Sequence, residues 1–562
     1  MARFARPLAP QLNKCALARE QTTITTLQTT DDTIPAGEGR PTAAAPAAPA
    51  VSAKTWLAVI GATLGAFMAV LNIQIVNASL ADIQGGIGAG IDDGGWISTS
   101  YLIAEIVVIP LSGWLAQVFS IRIYLLTNAV LFLVFSAACA LAQNLPQMIA
   151  LRAVQGFTGG VLIPLAFTLI ITLLPKAKQP IGQALFAISA TFAPAIGPTI
   201  GGYLTENFGW QYIFYVNVVP GAIMIGMLYF SLEAKPMKLS LLRDGDWFGI
   251  VTMAIGLSAL QTVLEEGNKD DWFGSPFIVR FAVIAAIALP LFVLIELTSK
   301  KPLLNLRLLF RRNFGFGVLA NFLLGVALYG SVYILPVYLS RVQGYNSEQI
   351  GTVLAWTGLP QLVLIPLVPR LMKRVDLRIM IGIGFGLFAA SNFMNIYMTN
   401  DYAADQLFWP NVVRAIGQAV MFAPLSAVAT AGIEAENAGS ASGLFNMVRQ
   451  LGGAIGIAAL QTLLTKREQY HSNVLSQSVS VFEQATRTRI DQLTEYFTHH
   501  GVIDPVDAAH RAYVAIGHIV QKQAYILAFS DTFYALGAAL IVAMLASLLL
   551  KKPDRLDIGS AH

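Results

Sequence analysis

The stretch WLAVIGATLGAFMAVLNIQIVN, residues 56–77, runs for 22 residues without one ionisable side chain. As helix it would cover about 33 Å at 1.5 Å per residue, enough to cross a bilayer core of about 30 Å. The rest of the 562-residue chain is made of the same material, 55% hydrophobic and 12% charged. A soluble chain carries about 25% charged residues, so the composition places this protein in a membrane.

Working outward from that stretch gives fourteen apolar spans. They lie near 56–80, 96–116, 123–142, 147–173, 180–204, 211–232, 247–264, 277–297, 315–339, 348–369, 378–398, 407–432, 437–464 and 525–550. Residues 1–52 differ from the rest. PTAAAPAAP at 41–49 is low-complexity, and the segment is expected to be a disordered cytoplasmic tail, with a second short tail at 551–562. If the N-terminus is inside, the short cytoplasmic loops hold 15 Lys and Arg and the short outer loops hold only Lys269 and Arg341. That asymmetry predicts both termini on the cytoplasmic side of the membrane. The overall charge of +4 fits the same excess of inner-loop bases. No basic patch interleaved with aromatics points to nucleic acid.

The chain also repeats itself. Leu185-Phe186 recurs as Leu444-Phe445 and Ala195-Ile196-Gly197 as Ala454-Ile455-Gly456, both after 259 residues. Pro164-Leu165 recurs as Pro424-Leu425 after 260, and Arg152-Ala153 as Arg414-Ala415 after 262. With spans 7 and 8 set aside, spans 4 and 5 match spans 12 and 13. Two parallel six-helix halves around a central site are expected, at 53–232 and 301–550, joined by two linker spans in 233–300.

Several motifs resemble the major facilitator superfamily, specifically the fourteen-span EmrB/QacA type of drug:proton antiporter. Leu151-Arg152-Ala153-Val154-Gln155-Gly156 is similar to that family's motif B, and Gly197-Pro198-Thr199-Ile200-Gly201-Gly202 to its motif C. Trp210, Phe214, Asn217 and Pro220 resemble its W-x-x-x-F-x-x-N-x-P signature with the proline displaced by one. Leu335-Pro336-Val337-Tyr338-Leu339 followed by Gly344-Tyr345 matches the end of the second half's first span. The resemblance covers roughly 56–550. It implies an all-α integral membrane protein of the major facilitator fold, two six-helix halves plus two central helices, exporting amphipathic compounds against protons. It also implies a periplasmic adaptor and an outer-membrane channel as candidate partners. Two positions depart from the family. Span 1 reads Leu71-Asn72-Ile73-Gln74-Ile75-Val76-Asn77, with Asn72 where a proton-carrying aspartate is usual. Gln117 replaces a common aspartate after Gly113-Trp114-Leu115-Ala116.

Glu105, Arg152, Arg414, Arg449 and Asp531 are ionisable residues that fall inside spans of the two halves. Such groups are expensive in hydrocarbon and normally face protein or a water-filled cavity. Asn72 lies eight residues from the outer end of span 1 and Glu105 nine residues into span 2. Both therefore sit roughly 12–14 Å below the outer surface, and Arg152 at about 8 Å. Glu105 can thus take the place of the missing span 1 acid. Burial favours its neutral form, a nearby guanidinium the ionised one, and that competition suits a proton carrier. Glu105, Arg152 and Asp531 are the proton-coupling candidates. Asn72, Asn77, Gln155, Phe157, Tyr329, Trp356, Arg414 and Arg449 are candidates for a substrate cavity between the halves. In motif C, Gly197 and Gly201 share a helix face that permits close approach, Gly202 completes the motif, and Pro194 and Pro198 favour a bend.

The segment 465–524 is expected outside as a helical hairpin. Leu475, Val479, Phe482, Ile490, Leu493 and Phe497 recur at helical spacing, and Asp504-Pro505 reads as a helix start. Five of the six histidines lie there without a compact ligand spacing, so no metal site is expected. No H-E-x-x-H or G-x-S-x-G constellation suggests an enzyme, and no cofactor is implied. The competing reading is an uptake symporter or facilitator of the same fold, which the absent span 1 acid favours and motif C opposes.

Overall fold

A computed structural model describes residues 51–90, 93–243, 245–299 and 301–551. The two expected tails lie outside the described residues except at their inner edges, as does Lys300 of the inner-loop bases. Among the described residues every regular element is helical. The helices are α1 (Ala53–Ala78), α2 (Trp96–Val118), α3 (Ile121–Cys139), α4 (Leu145–Leu173), α5 (Gln179–Phe208) and α6 (Tyr212–Ser231). A linker pair follows, α7 (Trp247–Glu266) and α8 (Pro276–Thr298), and then α9 (Arg312–Arg341), α10 (Ser347–Leu371), α11 (Leu377–Phe393) and α12 (Ala404–Thr430). The last three are α13 (Ala438–Gln477), α14 (Gln484–His499) and α15 (Pro505–Leu548).

Thirteen of these are long and apolar enough to cross a membrane, and α11, an apolar helix at a span position, is shorter at 17 residues. Only α14 reads as neither. The ends are set by local chemistry. Asn144 caps α4 by accepting from the Gln147 amide at 3.0 Å, just ahead of Pro146. Asn346 and Gln349 form a reciprocal capping box on α10. Asp504 caps α15, accepting from the Val506 amide at 3.0 Å with Pro505 in the first turn.

The two halves pack alike. α1 lies on α4, α5 and α6, as α9 lies on α12, α13 and α15; α2 packs on α4 as α10 packs on α12. The halves meet along two seams, α2 with α13 and α5 with α10, which the repeat makes equivalent. A cluster of phenylalanines from α4, α5, α12 and α13 also joins the halves. The Phe167 ring lies 5.2 Å from that of Phe186 and 5.5 Å from that of Phe445, and Phe186 lies 6.1 Å from Phe422. Linker helix α7 packs on α2 and touches α13, so it covers one seam rather than standing apart.

At 40 and 44 residues, α13 and α15 are about 60 and 66 Å long, twice what a bilayer core needs. The segment between spans 13 and 14 is therefore built partly from the continuations of those spans, with α14 packed on α15.

Candidate functional site

Glycines let α2 settle deep against α4. A Cβ on Gly156 would strike the Tyr101 backbone, and one on Gly160 would lie 3.0 Å from the Glu105 Cα. That close crossing carries Glu105 to the seam facing α13. There its side chain is 1% exposed, and Gln450 of the opposite half donates to its Oε1 at 3.0 Å. The Arg449 and Arg152 guanidinium groups lie near enough to act on it electrostatically. Beside it is a cavity of about 50 Å³, lined by Asn77, Gln74, Gln261, Glu265, Tyr329 and Ile457 among others. A buried carboxylate bonded across a seam between two halves can couple its protonation to the way those halves meet.

Arg152 is bonded to other groups one turn away. Its Nη1 donates to Asn72 at 2.8 Å and to Gln155 at 2.7 Å, its Nε to the Ile97 carbonyl at 3.2 Å, and its charge sits 4.2 Å from the Tyr101 ring centre. Asn72 and Arg152 thus meet, while no hydrogen bond joins Arg152 to Glu105. Arg449 donates to the Tyr329 hydroxyl at 3.4 Å and to Asn446 at 3.3 Å. Arg414 is buried with its charge 5.9 Å from the Phe388 ring centre, and its Nε has no hydrogen-bond partner among the described residues.

The remaining candidates divide. Asn77 accepts from Ser98 at 2.7 Å and, with Tyr329, lines the cavity. Phe157 and Trp356, 39% and 42% exposed, do not line it; Trp356 packs on Phe408 at 4.8 Å. Asp531 lies elsewhere, where α15 meets the upper part of α13. It binds the Arg467 Nε and, at 2.8 Å, the His471 Nε2, and it is about one-third exposed. A partly exposed pair of this kind contributes about 1 kcal/mol or less. Asp531→Asn should lower the thermal stability of the detergent-solubilised protein only slightly and leave proton exchange unchanged, as a melting curve and a proton-release assay can check.

Motif C packs α5 on both neighbours at once. A Cβ on Gly197 would run into the Gln74 side chain, and one on Gly201 would lie 2.9 Å from the Ile75 carbonyl of α1. One on Gly202 would lie 2.5 Å from the Ser347 carbonyl of α10, in the other half. Pro194 and Pro198 leave the Ala190 and Pro194 carbonyls without their helical donors. The helix accommodates this by widening into a π turn at Ile188–Phe192, which ends two residues before Pro194. The counterpart glycines of α13 face α9, Gly452 against Phe322 and Gly456 against Val326.

Sequence reasoning missed the neutral and terminal members of the site. Gln450 carries no charge to mark it, although it sits beside Arg449 in the apolar span 13. Glu265 and Glu266 fall just past the expected end of span 7 at 264 and read as loop. In the structure they close the last turn of α7, where Glu266 accepts from Thr99 at 2.9 Å and pairs with Lys269 at 3.2 Å.

Known proteins place this geometry in a family. The chain is 33% identical over 501 residues to the colistin resistance protein EmrB of Acinetobacter baumannii, spanning 89% of this chain and 97% of that one. It is 31% identical over 449 residues to the multidrug export protein EmrB of Escherichia coli (79% and 87%), and 29% identical over 504 residues to the fatty acid resistance protein FarB of Neisseria gonorrhoeae (89% and 96%). In fold it is similar to the human organic anion transporter MFSD10, with a TM-score of 0.56 at 12% identity over 88% of this chain and 99% of that one. The proton:xylose symporter XylE gives a TM-score of 0.52 at 14% identity over 88% and 95%. Residues 62–457 match the profile of the Major Facilitator Superfamily, and with its two alike halves, linker pair and seam glycines the chain belongs to that superfamily.

Proposed function

We propose that this protein exports amphipathic organic compounds across the bacterial inner membrane in exchange for protons, and that Glu105 carries the proton. The observation that supports this most is the Glu105–Gln450 hydrogen bond across the α2–α13 seam, made by a carboxylate that is 1% exposed. Ionised Glu105 accepts from Gln450 and balances nearby guanidinium charge; protonated, it loses that charge and holds α13 less firmly. Substrate and proton then favour different arrangements of the seam, which is the differential interaction that exchange requires. The names of the EmrB relatives, a colistin resistance protein and a multidrug export protein, support efflux as the direction. In cells lacking their own pumps, efflux of a fluorescent amphiphile by this protein should stop when a protonophore is added and persist when ATP is depleted. Efflux that survives the protonophore would remove proton coupling from the account.

The charge asymmetry supports a topology with both termini in the cytoplasm and α14 outside. Ser478, exposed at the end of α13, gives the test. A cysteine there should react with a membrane-impermeant reagent applied from the outer face; reaction only from the cytoplasmic face would reverse the topology. The tips of these outer helices expose Phe482, Ile503 and Val506 at 84%, 93% and 75%. Apolar tips of this kind suit a periplasmic adaptor that would continue the export path toward an outer-membrane channel.

A further inference from the structure

We infer that Glu265 of linker helix α7 is a proton relay between the outer solution and Glu105; the inference rests on the proposed coupling role of Glu105. Both carboxylates line one cavity, together with Gln261, Asn77 and Gln450. Glu105 lies nine residues into α2, about 13 Å from that helix's outer end, while Glu265 is the next-to-last residue of α7, about 1.5 Å from its outer end. The cavity therefore joins an acid near the outer surface to an acid deep at the seam. Its volume of about 50 Å³ has room for a few water molecules, and its polar lining offers them partners.

The surroundings of Glu265 leave it free to exchange. Its side chain accepts from Gln261 on its own helix at 2.9 Å. The other ionisable groups around it are Glu266 on the same helix, Tyr333 on α9 and, across the cavity, Glu105 and Tyr329. No ion pair joins Glu265 to a described residue. Glu266, by contrast, is committed to Thr99 and Lys269. Proton transfer balances simply. The Glu265 carboxylate takes a proton from the outer solution and gives it through cavity water to the Glu105 carboxylate, and Glu265 ends ionised and ready to repeat. In this arrangement α7 is a working part of the transporter, which is why it lies on the α2–α13 seam.

The test compares Glu265→Gln, Glu265→Asp and Glu105→Gln in proteoliposomes, reading proton flux and substrate flux together. A relay sets rate and leaves stoichiometry alone. Glu265→Gln should slow coupled transport on the order of tenfold or more with protons exchanged per substrate unchanged. Glu265→Asp, or a small permeant weak acid added to Glu265→Gln, should restore much of the rate. An unaltered rate in Glu265→Gln overturns the relay. A loss of the rate that neither aspartate nor weak acid restores assigns Glu265 a structural part instead. A changed stoichiometry makes it a carrier and also overturns the relay. Failure of the Glu105 reading shows separately, as full proton coupling in Glu105→Gln.

Discussion

Glu105→Gln should eliminate substrate-driven proton exchange while leaving the protein folded and inserted. Glutamine keeps the length of the side chain and an oxygen that can accept from Gln450, so the α2–α13 seam retains its hydrogen bond. What it removes is titration. Losing a proton-transfer group typically costs about 10²–10⁴-fold in rate, so export against a gradient should fall by on the order of a hundredfold or more. Downhill substrate exchange, which needs no proton, should persist. Asn72→Asp in the same variant offers a partial rescue. Asn72 Oδ1 already accepts from Arg152 at 2.8 Å, so an aspartate introduced there would pair with that guanidinium one turn from the cavity. Proton release in inverted vesicles measures both. Full coupling in Glu105→Gln would leave Glu105 as a structural partner of Gln450.

The second large effect is expected at Gly201. Its Cβ position lies 2.9 Å from the Ile75 carbonyl and 3.2 Å from the Ile75 Cα, backbone that cannot swing aside. Gly201→Leu must push α5 away from α1, at about 1–3 kcal/mol of overpacking. The same helix touches α10 through Gly202 and Thr199, whose hydroxyl donates to the Gly351 carbonyl at 2.6 Å, so the displacement reaches the second seam. Transport should fall more than about tenfold with the protein still in the membrane. Gly226→Leu on α6, where nothing lies within 4 Å of the Cβ position, is the control and should transport normally. Equal transport in the two variants would mean that motif C is not a tight contact.

Much of this fold was legible because hydrophobicity and small residues leave strong signals. The runs of about twenty apolar residues matched the observed helices to within a few residues at most ends, and the recurrence of Leu185-Phe186 as Leu444-Phe445 marked two phenylalanines that both pack on Phe167. Spans 13 and 14 were underestimated because their continuations toward α14 are polar, and a helix that extends past its apolar run loses the signal that identifies it. Within the site, Glu105 was visible as a lone acid inside an apolar span. Which side chains touch was not visible. Arg152 turned to Asn72 and Gln155, and Glu105 to Gln450, because the rotation of each helix about its axis depends on the glycine contacts with its neighbours. Glu265 escaped because an acid at a helix end looks like any loop residue until α7 is seen lying on α2.

The coupled exchange itself can be measured in proteoliposomes holding purified protein, with a fluorescent amphiphile and a pH indicator followed together. Substrate and protons should cross in opposite directions: an imposed proton gradient should drive the amphiphile uphill, and addition of amphiphile to de-energised vesicles should drive protons the other way. Movement of both in the same direction, or substrate flux indifferent to the proton gradient, would contradict proton-coupled export.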